Sequence, residues 1–177
     1  QEGELSFTGL LQSFIGIKSE EEVPGISINK SGKAVTTGPS QRITDLSAVP
    51  SPYTMGLFDH LPLEYPDKIW NAVIETNRGC TFMYTFCDVG GTTFSKVKKF
   101  NLERIEEELL WMAKNKSEFI TNTDANFGIF KDRDMEIAEL LVNIKKQYGY
   151  PQVFETNWSK NATVGLVDIA VKLMKAG

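Results

Sequence analysis

Three short apolar runs alternating with three longer amphipathic stretches constrain this chain more than any other feature. The runs are Ile69 to Thr76, Phe119 to Thr123 and Gln152 to Thr156, each short for a helix and bearing β-branched or aromatic residues. Between and after them the spacing becomes helical. Asn101 can cap a helix with Leu102, Ile105, Leu109, Leu110 and Met112 on one face. Asp132 or Asp134 begins a second, with Ile137, Leu140, Leu141 and Ile144 inward and a stop at Gly149. Val164, Val167, Val171 and Met174 stripe a third. Strands alternating with helices predict an α/β fold with a parallel sheet and right-handed crossovers. Three such units cannot close a barrel, so they form either a partial (βα) TIM-like barrel or a small open sheet. An open edge and an uncovered apolar face would then favour self-association.

The first part of the chain reads differently. Leu5, Phe7, Leu10, Leu11 and Phe14 have near-helical spacing and precede the acidic Glu20-Glu21-Glu22. Ile26 to Val35 reads as a small hairpin turning at Ser31-Gly32. Residues 36–66 carry Pro39, Pro50, Pro52, Pro62 and Pro66 with little periodicity, which marks a connector. The organisation expected is therefore 1–35, connector 36–66, and an α/β segment over 67–177. The chain starts at Gln1 in a segment that reads as mid-domain and stops as a helix finishes, so both ends are expected to be cuts.

Hydrophobic residues at 41% and charged residues at 24% are the balance of a globular chain. A net charge of -4 gives no electrostatic reason to expect nucleic acid or an anionic membrane as partner. No apolar run approaches the roughly 20 residues of a membrane span, and no basic-then-apolar leader is present. A cytoplasmic location is the expectation.

Ligands of parallel sheets bind at the carboxyl ends of the strands. Here those ends open into Asn77 to Phe100, Asp124 to Lys131 and Asn157 to Asn161, all rich in Asn, Asp, Thr, Gly or Lys. The first holds both cysteines, Cys80 and Cys87, which read as free thiols rather than a bridge. By themselves they read as a pair of small buried apolar residues, and it is their surroundings that point elsewhere. Lys96, Lys98 and Lys99 read as a solvated loop, with a phosphate contact as the alternative. Lys160 and Asn161 either face the mouth of the sheet or cap the last helix. Glu106-Glu107-Glu108 reads as a solvated helix face, and Trp70, Trp111 and Trp158 as packing residues.

The loop reads Arg78-Gly79-Cys80-Thr81-Phe82-Met83-Tyr84-Thr85-Phe86-Cys87-Asp88-Val89-Gly90-Gly91. It resembles the CxxxCxxC motif that radical S-adenosylmethionine (SAM) enzymes carry after their first barrel strand, with Tyr84 in the place of the middle cysteine. The likeness continues outside the loop. Gln1-Glu2-Gly3-Glu4 followed by Phe7 and Leu10-Leu11 looks like the end of a cobalamin-binding domain. Pro24-Gly25-Ile26, Asp45-Leu46 and Pro50-Ser51-Pro52-Tyr53 look like the connector of that subfamily. Asp124, Asn126 and Phe127 resemble its second-strand motif.

The resemblance implies a 4Fe–4S cluster on three thiolates, with SAM on the remaining iron, generating a radical and possibly transferring a methyl group in a longer parent. Cys80 and Cys87 would be cluster ligands, and Tyr84 marks the missing one. Phe86 would lie by the adenine, Asp124 and Asn126 would contact the methionine or ribose of SAM, and Gly90 and Gly91 would let backbone approach closely. Cobalamin is implied for the full-length parent alone. A hard phenol oxygen substitutes poorly for a soft thiolate, and His60, the sole histidine, is the one remote nitrogen ligand available. Against the enzyme stands a non-catalytic remnant that builds no cluster, and behind it an ordinary α/β domain whose thiols merely pack.

Overall fold

The computed structural model describes residues 2–82, 84–87 and 96–177, and the chain divides into two compact units, Gln1–Asp45 and Leu46–Gly177. The division falls inside the 36–66 stretch.

The first unit holds helix α1 (Glu4–Phe14) and an antiparallel hairpin of β1 (Ser27–Lys30) and β2 (Lys33–Thr36). Ser31 and Gly32 turn that hairpin with positive φ, and the Asn29 side chain accepts from the Gly32 amide. The Glu2 carboxylate accepts the Ile43 amide and pairs with Arg42, tying the unit's two ends together.

The second unit begins with an irregular run and the short helix α2 (His60–Glu64). Strand β3 (Asn71–Ile74) follows, and β4 (Asn77–Arg78) pairs antiparallel with β5 (Lys98–Lys99). Then come α3 (Leu102–Lys114), β6 (Phe119–Phe127), α4 (Lys131–Tyr148), β7 (Val153–Trp158) and α5 (Val164–Lys175). The main sheet is parallel, in the order β3-β6-β7. The expected α/β architecture is present, including the Asn101 cap on the Arg104 amide and the left-handed Gly149 that ends α4.

Alternation sorts the strand residues onto two faces. Ala72, Ile74 and Ile120 are buried, as are Ile105, Leu109 and Met112 of α3 and Ile137, Ala138 and Leu141 of α4. The opposite face carries Asn71, Val73, Thr121 and Glu155, where the Thr121 hydroxyl bonds to both Asn71 and Glu155. The same face also carries Phe119 and Val153, so it mixes polar and apolar residues. Strand β3 is buried on one side alone, because Asn71 and Val73 stand exposed.

Two helices also depart from their sequence reading. On α5 the buried positions are Gly165 and Ile169, while Val164, Val167 and Met174 are exposed, so the valine stripe is not the packed face. On α3 Glu108 is 4% exposed and pairs with Arg104, whose guanidinium also donates to the Val49 carbonyl. The buried pair arises because Glu108 lies one residue from Leu109 on a helix whose partner cation sits at i−4.

A tyrosine covers the β3 edge of the sheet. The Tyr53 hydroxyl donates to the Val73 carbonyl and accepts its amide, at 2.8 and 3.0 Å, closing both groups on the outer side of β3. Tyr53 in turn packs against Phe58 and Trp111, and the Trp111 indole donates to Asp59. Burial raises the Tyr53 pKa above its ordinary value, which keeps the phenol a donor.

Candidate functional site

The carboxyl ends of β3 and β6 meet in a buried polar cluster centred on Asp124. Asp124 is 0% exposed. Its Oδ1 accepts the amides of Thr76 (2.7 Å) and Asn77 (2.9 Å), while Oδ2 accepts the Thr76 hydroxyl and the Asn77 side-chain amide (2.7 Å). Burying an ionised carboxylate costs several kcal/mol, and hydrogen bonds to a charged group return about 1.5–3 kcal/mol each. Desolvation raises the Asp124 pKa above 3.8, opposed chiefly by the Thr76 hydroxyl and the two backbone amides. With two bonds on each oxygen the carboxylate is fully engaged. It pins the turn that leaves β3, and in this arrangement it presents no free oxygen to a ligand.

That turn carries the first cysteine. Arg78 is held by Glu75 through Nε (3.0 Å) and Nη2 (2.6 Å). Gly79 then adopts φ +125°, a conformation that a side chain would resist. The chain bends there and delivers Cys80 inward, 4% exposed, where the Asn126 side-chain nitrogen donates to its Sγ at 3.1 Å. Lys160 donates to Asn126 Oδ1 (2.9 Å) and to the Ala125 carbonyl (3.2 Å). Cys80, Asn126 and Lys160 therefore form one hydrogen-bonded chain across the ends of all three parallel elements.

Past Cys80 the described side chains turn outward. Phe82, Tyr84 and Phe86 stack in series, with ring centroids 5.7 and 5.3 Å apart and planes within 11°. Tyr84 is 40% exposed and Phe86 85%. The Cys87 amide donates to the Tyr84 carbonyl, and Cys87 itself is half-buried. Both cysteines are free thiols. Gly90 and Gly91 lie outside the described residues.

A second buried acid lies beyond β6. Asp134 Oδ2 accepts the amides of Gly128 (2.8 Å) and Phe130 (2.9 Å), folding the β6–α4 turn onto the start of its own helix. Its Oδ1 is buried without a partner, and burial again raises its pKa. Beside it Arg133 donates to the carbonyls of Thr76 (3.0 Å) and Phe100 (2.6 Å), and burial lowers its pKa. Sequence reasoning saw Asp134 as a helix starter alone. Its position four residues after Phe130 was the available signal for a back-reaching cap.

The remaining expected residues resolve as follows. Thr163, rather than Lys160 or Asn161, caps α5 by accepting the Leu166 amide. A threonine just ahead of Val164 and Leu166 was the signal for it. Lys99 sits 3.6 Å over the Phe130 ring. His60 is exposed at the first residue of α2. Among the described residues no three His, Cys, Asp or Glu side chains converge as a metal site, and no helix is long and apolar enough to cross a membrane. Two thiols and a phenol fall one thiolate short of the donor set that the motif requires. The residues present do not fit a complete 4Fe–4S cluster.

Comparison with known proteins gives a consistent picture. The chain is 35% identical over 172 residues to the cobalamin-dependent radical SAM methyltransferase TokK of Streptomyces tokunonensis. It has the same identity over the same length to 2-(S-pantetheinyl)-carbapenam-3-carboxylate methyltransferase of Streptantibioticus cattleyicolor. Each alignment takes in 96% of this chain and 25% of the relative, so the chain spans about a quarter of their length. An uncharacterized methyltransferase of Pyrococcus horikoshii is 26% identical over 183 residues, 99% of this chain and 37% of that protein. In fold the chain is similar to the radical SAM methyltransferase TsrM of Kitasatospora setae, with TM-score 0.62 and 14% identity over 97% of this chain and 34% of that one. No family model matches.

Proposed function

With the chain a homologue of one segment of the cobalamin-dependent radical SAM methyltransferases, we propose that it carries the cysteine-bearing end of such an enzyme. In this reading β3, β6 and β7 are the opening strands of a partial barrel. Cys80 and Cys87 are two of three cluster ligands, and Tyr84 stands where the third belongs. The full-length relatives' kind of chemistry implies SAM, a 4Fe–4S cluster and cobalamin, with a small molecule as methyl acceptor. TsrM has been captured with tryptophan and a SAM analogue, and a second relative is named for a carbapenam carboxylate. For this chain the cofactors belong to the proposal, and cobalamin belongs to a longer parent.

The observation that carries the reading is the buried Cys80 Sγ, held 3.1 Å from Asn126 at the carboxyl ends of the parallel strands. A packing cysteine needs no amide donor aimed at its sulfur. A ligand thiolate gains from one, because hydrogen bonds to sulfur tune such centres. Asp124 and Asn126 act here as positioning residues. Asp124 fixes the Thr76–Asn77 turn, and Asn126 fixes the sulfur.

The shortfall at residue 84 divides the segment's capacity into two parts: the buried turn that places Cys80 is formed and the ligand set is not complete. Anaerobic reconstitution with iron and sulfide, on this chain and on Tyr84→Cys, tests this. Tyr84→Cys is expected to gain about four irons per chain and a SAM-responsive EPR signal, as a three-thiolate site would, while the natural chain gains neither. Equal loading of the natural chain would overturn the shortfall. Loading of neither would remove Cys80 and Cys87 from the role of ligands.

A further inference from the structure

Lys160 stands at the far end of the Asn126 side chain from the Cys80 sulfur. Its place is set by the backbone before it. The Ser159 amide donates to the Phe127 carbonyl at 2.8 Å, which lays the start of the loop after β7 against the end of β6. From there the ammonium reaches Asn126 Oδ1 (2.9 Å) and the Ala125 carbonyl (3.2 Å), and it lies 5.9 Å from the centre of the Phe82 ring.

A primary amide has two unlike ends, and the end that faces a neighbour decides whether that neighbour meets a donor or an acceptor. Asn126 is 3% exposed and Cys80 4%, so solvent has little part in the choice. An ammonium has donors alone. Beside Lys160 the amide presents Oδ1, and the planar group then turns Nδ2 to the sulfur, 3.1 Å away. The reverse orientation would set the amide nitrogen against the ammonium and the amide oxygen against the sulfur, losing both bonds at once. The thiol's own proton has an outlet on another side, where Cys80 Sγ donates to the Phe82 carbonyl at 3.8 Å. The sulfur is thereby left as an acceptor toward Asn126.

We propose that Lys160 is a positioning residue for Cys80: it fixes the orientation of the Asn126 amide so that a donor, not an acceptor, faces the sulfur. Hydrogen bonds of this kind orient the atoms that bind a metal. That purpose rests on the proposed function; the orientation itself does not. A cation in the loop after β7 thus acts, through a side chain at the end of β6, on a cysteine in the turn after β3.

The test needs neither iron nor SAM, so its failure and the failure of the cluster reading can be told apart. NMR contacts from the Asn126 side-chain amide protons to the Cys80 methylene, and solvent exchange of those amide protons, are compared among the natural chain, Lys160→Arg, Lys160→Gln and Lys160→Met. Arginine has donors alone and is expected to keep the contacts. Glutamine still donates to the Ala125 carbonyl but also accepts, so it tethers the loop without choosing an orientation, and about half of the contact intensity should go. Lys160→Met should lose as much and exchange the Asn126 amide protons about tenfold faster, the fold-change of one hydrogen bond to a charged group. The backbone amides of Thr76 and Ile120 should keep their exchange rates in all three variants. Undiminished contacts in both Lys160→Gln and Lys160→Met would overturn the proposal. Loss of the contacts together with faster exchange at Thr76 and Ile120 would overturn it too, because Lys160 would then merely hold the fold.

Discussion

Asp124 and Asn126, near the end of β6, are buried and place their polar atoms on neighbours. Tyr84 and Phe86, a few residues past Cys80, are exposed and stack in series with Phe82. The Cys80 thiol touches both regions, through the Asn126 side chain and the Phe82 carbonyl. One is a scaffold stabilised by hydrogen bonds within the chain, and the other holds its rings against solvent. The difference separates two requirements of a cluster site that are easily conflated: placing a cysteine correctly, and supplying enough of them. In the proposed reading Asp124, Gly79 and Asn126 serve the first requirement, and the chain departs from the second at one position.

The comparison can be broken most forcefully at Asp124. Asp124→Ala leaves the Thr76 and Asn77 amides buried without an acceptor and is expected to cost about 3–5 kcal/mol, read from urea unfolding. A loss under 1 kcal/mol would mean that the turn is held by something else. Asn126→Ala should cost about 1–2 kcal/mol and release Cys80 to alkylation. In the natural chain Cys87 should alkylate first, since Cys80 lies buried beneath Asn126; equal rates for the two thiols would contradict the contrast.

These residues also mark where sequence reasoning ended. The alternation of Ile120 with its neighbours, the Asn101 cap and Gly149 were legible because each is a local rule read within a few residues. The cluster at residues 76, 77 and 124 was not, since it joins positions 47 and 48 residues apart. The resemblance implies a SAM contact for Asp124; the partners the structure gives it are the Thr76 and Asn77 amides, the Thr76 hydroxyl and the Asn77 side chain, and the backbone amides among them carry no sequence signature. Glu108 and the valines of α5 misled for a related reason. A charge run and an apolar stripe each define a helix face, but which face is packed depends on the rest of the fold.

A smaller effect concerns pH. Asp134, like Asp124, has its folded pKa raised by burial above 3.8. A raised pKa in the folded state means that the folded chain holds its proton more tightly. The associated stability is present below pH 3.8 and is lost as pH rises through the raised value. Asp134→Asn keeps an oxygen for the Gly128 and Phe130 amides and cannot ionise. Its stability relative to the natural chain should therefore rise from pH 3.8 upward and level off above the raised pKa. A difference that does not vary with pH would contradict the assignment. The smallest effect is expected on the exposed side, where Phe86→Ala should change stability by no more than about 0.5 kcal/mol.

Native-state hydrogen exchange of the chain, free of iron and of SAM, tests most directly whether the scaffold precedes the cofactors. The account predicts that the Thr76 and Asn77 amides exchange as slowly as the Ile120 amide of β6, because Asp124 holds them in the absence of any ligand. Exchange of those two amides at the rate of an open loop, with Ile120 still protected, would contradict it.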